Sequence, residues 1–147
     1  MADILQEQLS PLALVVLSAC ETGVSDPYSP DEGIGFPAAF IAAASASVVS
    51  SLWKVNDLST ALLILRFYWE WRREKVPGAL ALARAQWWQR ATAASDKCAF
   101  LEQAVAAGIL IASAVEAMTA QIRRLSPDPA NNPFAHPHHW AAFTYAG

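Results

Sequence analysis

Cys20 is the residue of this 147-residue sequence whose position most favours covalent chemistry. Two residues separate it from 12–17, a continuous apolar run that predicts a buried strand. Reactive groups of open α/β sheets lie beyond the carboxyl ends of strands, where turns expose side chains. A thiol needs a nearby base or positive charge to form a thiolate at neutral pH, and the adjacent Glu21 has the opposite sign. Cys20 is therefore either a nucleophile or a small buried residue at a strand end, and position alone favours the second.

Three histidines, His136, His138 and His139, form the second group that could do chemistry. An imidazole titrates near neutrality and can act as a general base. If the last strand runs antiparallel, these residues begin it at the same sheet edge as Cys20. Their spacing also resembles a metal-binding patch, but no cluster of Cys, Asp or Glu accompanies them, so we expect no metal site. The histidines are either replacement bases or half-buried structural residues.

The elements that must position these residues follow an α/β pattern. Residues 12–17 and 47–53 are predicted to be strands covered on both faces, because neither run alternates apolar and polar residues. Between them lie a Gly- and Pro-rich loop at 23–35 and a short Ala-rich helix at 36–44. Strand, helix, strand in this order is a right-handed crossover unit. We therefore predict an α/β fold with about three strands and flanking helices.

The second half of the chain is predicted to be helical up to a last strand at 140–145. Apolar residues recur there at helical spacing in three stripes. The stripes are Leu58, Leu62, Leu65 and Trp69; Leu80, Ala83 and Trp87; and Ile111, Val115, Met118 and Ile122. Asp57 or Ser59 is expected to cap the first helix, and Pro77 and Gly78 to end it. The third stripe should pack on the flank of the same domain or on a partner helix.

The composition excludes several classes of function. Apolar residues make up 54% of the sequence and charged residues 16%, against about 25% charged in typical domains, which excludes intrinsic disorder. A net charge of −3 argues against a nucleic-acid partner, which needs a concentrated cationic face. Two cysteines, Cys20 and Cys98, provide no disulfide framework and favour a cytoplasmic location. Residues 33–53 are uncharged, but Pro37 and four serines favour a buried helix and strand over a membrane span.

Five segments, in order along nearly the whole chain, carry a resemblance to a known family. They are residues 14–23 (LVVLSACETG), 32–40, 47–57, 83–86 and 136–143. These motifs resemble the CHAT domain, a bacterial caspase-like domain that is often joined to tetratricopeptide repeats. The resemblance implies that residues 1–147 are the C-terminal half of a caspase-like doubly wound sheet, with a helical insertion around 93–125. Asn56 departs from the pattern, since Asp is common in the family at that position.

The resemblance also implies an activity, that of a cysteine endopeptidase with Cys20 as its nucleophile. In caspase-like peptidases a His on the neighbouring upstream strand accepts the thiol proton, and backbone N–H groups hold the oxyanion. The His-Gly pair of that strand is absent from this sequence, so we expect this chain alone to be inactive. Asp57 resembles the acidic residue with which separase and clostripain bind a basic side chain before the scissile bond. The alternative for Asp57 is the helix cap.

The resemblance further implies the partners. We expect a protein or peptide substrate and, in the parent protein, tetratricopeptide repeats, with no cofactor, nucleic acid or membrane. The alternative function, from another class, is a catalytically silent interaction or scaffold module that keeps the sheet.

Overall fold

The structure is a computed structural model that describes residues 14–17 and 47–147. The predicted loop at 23–35 and helix at 36–44 lie outside the described residues. In the part of the chain that is described, four α-helices and a three-stranded sheet form a mixed α/β fold. The predicted fold class is therefore confirmed.

The sheet contains β1 (Val15–Leu17), β2 (Val48–Ser51) and β3 (Phe143–Ala146), in the spatial order β1-β2-β3. β1 and β2 are parallel, with Leu17 opposite Ser50. β3 runs antiparallel to β2. β2 is buried along its whole length, as its unbroken apolar start predicts for a strand between two neighbours. The condition stated for the last strand, that it runs antiparallel, is therefore met.

Four α-helices lie between β2 and β3. They are α1 (Asp57–Tyr68), α2 (Gly78–Ala91), α3 (Ala94–Ala106) and α4 (Ala112–Leu125), with a π-helical turn at Trp69–Arg73 and a 3₁₀ turn at Pro137–His139. None of these helices combines the length and apolar content that crossing a bilayer requires. α3 and α4 occupy most of the segment 93–125 that was predicted to be a helical insertion.

The connection between α1 and α2 differs from the prediction that Pro77 and Gly78 end the first helix. The π-helical turn that continues α1 ends at Arg73, and Lys75 takes a positive φ of 58° that turns the chain. Pro77 then precedes α2, and Gly78 is its first residue. A Cβ at Gly78 would lie 2.5 Å from a ring carbon of Tyr145 on β3, so this close approach requires glycine.

α2 buries a different face from the predicted one. Its buried residues are Ala81, Leu82, Ala85, Trp88 and Gln89. The predicted stripe faces solvent instead, with Leu80 47% and Trp87 67% exposed. The small side chains of Ala81 and Ala85 allow α2 to pack closely on α1 and β3, and the apolar pattern of the sequence does not reveal this. The prediction for this helix was therefore correct in type and wrong in orientation.

Two apolar clusters form the core. The first lies between the sheet, α1 and α2 and includes Val49, Leu63, Phe67, Leu82 and Phe143. The second joins residues from all four helices and includes Leu62, Trp88, Phe100, Val115 and Ile122. Met118 packs against the second cluster, so the third stripe does lie on the flank of the same domain. Ile111 is the exception, because it precedes α4 and is 71% exposed.

The last strand begins three residues later than predicted. The backbone N–H groups of Trp140 and Ala141 both donate to the carbonyl of Pro137, at 3.1 and 2.8 Å. These hydrogen bonds hold 140–142 in a turn, and Phe143 is the first residue that pairs with β2.

Candidate active site

Cys20, the predicted nucleophile, lies outside the described residues. The structure does describe β1, the strand that precedes Cys20 in the sequence, and the edge of the sheet at which β1 ends. β1 ends at Leu17, three positions before Cys20. Leu17 lies opposite Ser50, so the carboxyl ends of the two parallel strands meet at one edge. β3 begins at the same edge, because Phe143 lies opposite Ser51. This edge is where an open α/β sheet carries its reactive groups.

Trp53 connects the segments on either side of this edge. Its indole Nε1 donates to the carbonyl of His138 at 3.0 Å, and the two rings stack with centroids 6.3 Å apart. The backbone N–H of Leu52 donates to the carbonyl of Ala142 at 2.8 Å. The chain leaving β2 is therefore fixed to the chain entering β3. Trp53 was predicted to end a strand and belongs to the segment 47–57 quoted for the resemblance, but this hydrogen bond was not predicted. A partly buried indole after a strand commonly has a partner for its N–H.

Gln86 of α2 fixes the entry into β3 from the other side. Its Nε2 donates to the carbonyls of Trp140 and Phe143, at 3.0 and 2.9 Å. One amide thus satisfies two backbone acceptors at the turn where the chain becomes a strand. Gln86 belongs to the segment 83–86 quoted for the resemblance, so that motif has a positioning role at the edge.

Asp57 is the first residue of α1, and it does not cap the helix. Asn56 is the cap, because its Oδ1 accepts from the N–H groups of Leu58 and Ser59 at 3.0 and 3.2 Å. The expectation that Asp57 or Ser59 caps α1 was wrong. Asn56 has an extended backbone that directs its side chain back onto the first turn. The carboxylate of Asp57 is exposed and remains available to other partners.

A groove of about 460 Å³ runs along α1 from Asp57. Its other lining residues are uncharged and mostly apolar: Thr60, Ala61, Ile64, Leu65, Tyr68, Leu110 and Met118. A carboxylate beside an apolar groove suits a side chain with an aliphatic stem and a cationic end. The position of Asp57 in the first turn also favours negative charge, since N–H groups there point toward it.

Of the three histidines, His138 and His139 meet edge to face with ring centroids 5.7 Å apart, and His136 has a separate role. His136 Nδ1 accepts from the N–H of His138 at 3.2 Å and so caps the 3₁₀ turn. His138 stacks on Trp53, and the half-buried His139 meets the ring of Phe134 at 73° with centroids 5.4 Å apart. Burial lowers the pKa of His139, and the charges of His138 and His136 lower it further. A neutral imidazole is favoured at that position.

The structure also bears on two other features of the sequence, the candidate metal ligands and Cys98. Across 14–17 and 47–147 no group of three or more His, Cys, Asp or Glu side chains is arranged to hold a metal ion. Cys98 lies in α3 as a half-buried free thiol, beside Ser95, Arg123 and Pro127. It provides an internal comparison for the reactivity of Cys20.

Comparisons with known proteins identify the family. The family model described as CHAT domain matches residues 1–147, which is the whole chain. No curated protein matches. No solved structure matches.

Proposed function

Because the chain belongs to the CHAT domain family, we propose that it carries the nucleophile of a caspase-like cysteine endopeptidase and that this nucleophile is Cys20. One observation carries the proposal: β1 and β2 are parallel and end together, and Cys20 follows β1 by three positions. The edge at which β1 ends is also the edge at which β3 begins, and Trp53 and Gln86 hold the chain that enters β3.

The proposed reaction is hydrolysis of a peptide bond in two steps. The Cys20 thiolate attacks the scissile carbonyl carbon, and the carbonyl electrons move to an oxyanion held by backbone N–H groups. The C–N bond then breaks, and the amine leaves with the thiol proton, delivered by the His that the family resemblance implies. Water hydrolyses the thioester and restores the thiol.

We assign Asp57 the recognition of Arg or Lys before the scissile bond. Three features support this role: its carboxylate is exposed, the cap of α1 is already provided by Asn56, and the groove beside it has an uncharged lining. The aliphatic stem of a basic residue would cover apolar groove residues such as Leu65, while its cationic end pairs with the carboxylate.

The nucleophile is tested by covalent labelling of the domain joined to a strand that ends in His-Gly. A peptidyl acyloxymethyl ketone with Arg next to the reactive group should modify Cys20 and leave Cys98 unmodified, as read by mass spectrometry of peptides. Cys20→Ala should abolish labelling, and Cys98→Ala should not change it. Equal labelling of both thiols would contradict the proposal and favour a catalytically silent module.

The specificity is tested by Asp57→Asn in the same protein. We expect kcat/KM on Arg and Lys substrates to fall by about 30-fold or more, because a desolvated cation then faces a neutral amide. Asp96→Asn is the matched control, since Asp96 also lies in the first turn of a helix. Equal activity of the Asp57 variant and the control would remove Asp57 from substrate recognition and leave the Cys20 assignment intact.

A further inference from the structure

The outward face of α2, which we define as Leu80, Ala83, Arg84 and Trp87, exposes large apolar groups. Leu80 is 47% and Trp87 67% exposed. Leu80 and Trp87 are seven residues apart, so they lie on one side of the helix about 10 Å from each other. A single exposed apolar side chain is ordinary, but two large ones on the same side of a helix form a patch, and apolar patches mark interaction sites.

The opposite face of α2 is already buried. Ala81, Leu82 and Ala85 pack in the first core cluster, and Trp88 packs in the second. A helix with apolar residues on both sides is typical of a helix covered on both sides. The outward face therefore resembles a face that a partner covers.

A groove of about 370 Å³ lies along this face, between α2 and α1. Leu80 and Trp87 line it together with Arg66, Glu70 and Arg84. Glu70 is almost fully buried and pairs with both arginines, so the groove keeps an excess of positive charge. The Arg84 side chain is 52% exposed and accessible to a further carboxylate.

The residues before and after this groove in the sequence also carry a net positive charge. Residues 58–91 carry six Lys or Arg and two Glu, in a chain whose net charge is −3. A partner with carboxylates next to an apolar side chain would complement both features. A second copy of this chain would not, because a two-fold contact places the same arginines opposite each other.

We propose that the outward face of α2 is a docking site for an acidic amphipathic protein segment. The segment forms a helix of at least two turns, whose apolar side chains lie between Leu80 and Trp87 and whose carboxylates meet Arg84. This mode is the insertion of a helix into a groove, with an aromatic anchor on the receiving side. The proposal does not depend on peptidase activity.

The test is a titration of the full chain with a labelled synthetic peptide of about 15 residues, long enough to form a helix. The peptide carries Leu on one face and Glu on both flanks, and a second peptide has Lys in place of every Glu. Fluorescence anisotropy should show saturable binding of the Glu peptide, weakened by added salt, and no binding of the Lys peptide.

Two variants locate the contact. Trp87→Ala should weaken binding of the Glu peptide by about 10-fold or more, and Arg84→Gln should weaken it several-fold. The matched controls are Ile111→Ala, another exposed apolar residue, and Arg124→Gln on α4, which should bind as the parent does. Thermal melting confirms that each variant is folded.

Three results would overturn the inference. Binding of both peptides alike would show that charge does not select the partner, and full binding by Trp87→Ala would exclude this face. A dimer in solution that Trp87→Ala converts to a monomer would assign the face to a second copy of the chain.

Discussion

The carboxylate of Glu70 is a buried charge at the junction of α1 and α2, and its ion pairs give a graded stability prediction. Its side chain is 6% exposed. Oε1 lies 2.5 Å from Arg66 Nη2, and Oε2 lies 3.3 Å from Arg84 Nη1. The Arg66 and Arg84 side chains are 25% and 52% exposed. The cost of removing one partner depends on how well water can reach the charge that remains.

Removing one partner of a buried ion pair lowers the free energy of unfolding by about 3–5 kcal/mol when the remaining charge stays shielded from water. Arg66→Gln leaves the buried Glu70 with only the longer Arg84 contact, so we expect a loss of about 3 kcal/mol in the free energy of unfolding. Arg66 also lies over the rings of Trp88 and Phe100, at 5.6 and 5.1 Å, and those contacts are lost as well.

The other two substitutions should cost less. Glu70→Gln leaves two guanidinium groups that water reaches, and we expect a loss of about 1–2 kcal/mol. Arg84→Gln removes a half-exposed pair, which is worth about 0.5 kcal/mol. The expected order of destabilisation is therefore Arg66→Gln, then Glu70→Gln, then Arg84→Gln.

Urea unfolding followed by tryptophan fluorescence measures all three variants. A fall in the midpoint with an unchanged slope reports a change of stability alone. Arg124→Gln, on the exposed face of α4, serves as the control and should cost close to nothing. If Arg84→Gln costs as much as Arg66→Gln, exposure does not govern the network and the reasoning is refuted.

Three further predictions concern single positions. Burial lowers the pKa of Lys97 from 10.5 to about 8. Between these pH values the unfolded chain binds more protons than the folded one, so the free energy of unfolding should rise with pH by up to about 3 kcal/mol. Urea midpoints measured from pH 8 to 10.5 should show this slope, and Lys97→Met should remove it. Gly78→Ala places a Cβ against the Tyr145 ring and should cost about 1–3 kcal/mol. Tyr145→Leu itself loses the hydrogen bond to Ser47, so the comparison is made within that background, where melting curves should show that Gly78→Ala costs much less. Asn56→Ala should cost about 1 kcal/mol by removing the cap of α1, whereas Asp57→Ala should cost much less; equal losses in urea unfolding would return the cap to Asp57.

The element types could be predicted because apolar runs and helical spacing are local signals. Three strands and the helices between the last two of them were predicted from such signals. The orientation of α2 could not be predicted in this way. Its inward face carries Ala81, Leu82, Ala85 and Trp88, and its outward face carries Leu80 and Trp87, so the two faces are similarly apolar. Only the close approach of α1 and β3, where small side chains fit, decides between the faces.

The cap of α1 shows a second kind of limit. Asn56, Asp57 and Ser59 are all good cap residues, and which one caps depends on where the backbone leaves its extended conformation. Asn56 is the last extended residue, at φ −61° and ψ 136°. If the helix began one residue later, Asp57 would be the cap and its carboxylate would be occupied. Helix ends are uncertain by one or two residues, so the sequence could not decide between these two roles of Asp57.

The groove beside Asp57 links the proposed specificity to the helices that follow. Leu65 forms one part of its lining and Leu110 and Met118 another, and all three pack against the second core cluster. The cluster contains Val115 and Ile122 of α4, so the packing of α4 sets how far Met118 lies from α1. A close-packed core transmits a change of side-chain volume to its neighbours. If Asp57 has the proposed role, we therefore expect substitutions at buried positions of α4, such as Val115, to change kcat/KM on Arg and Lys substrates by moving Met118 in the groove.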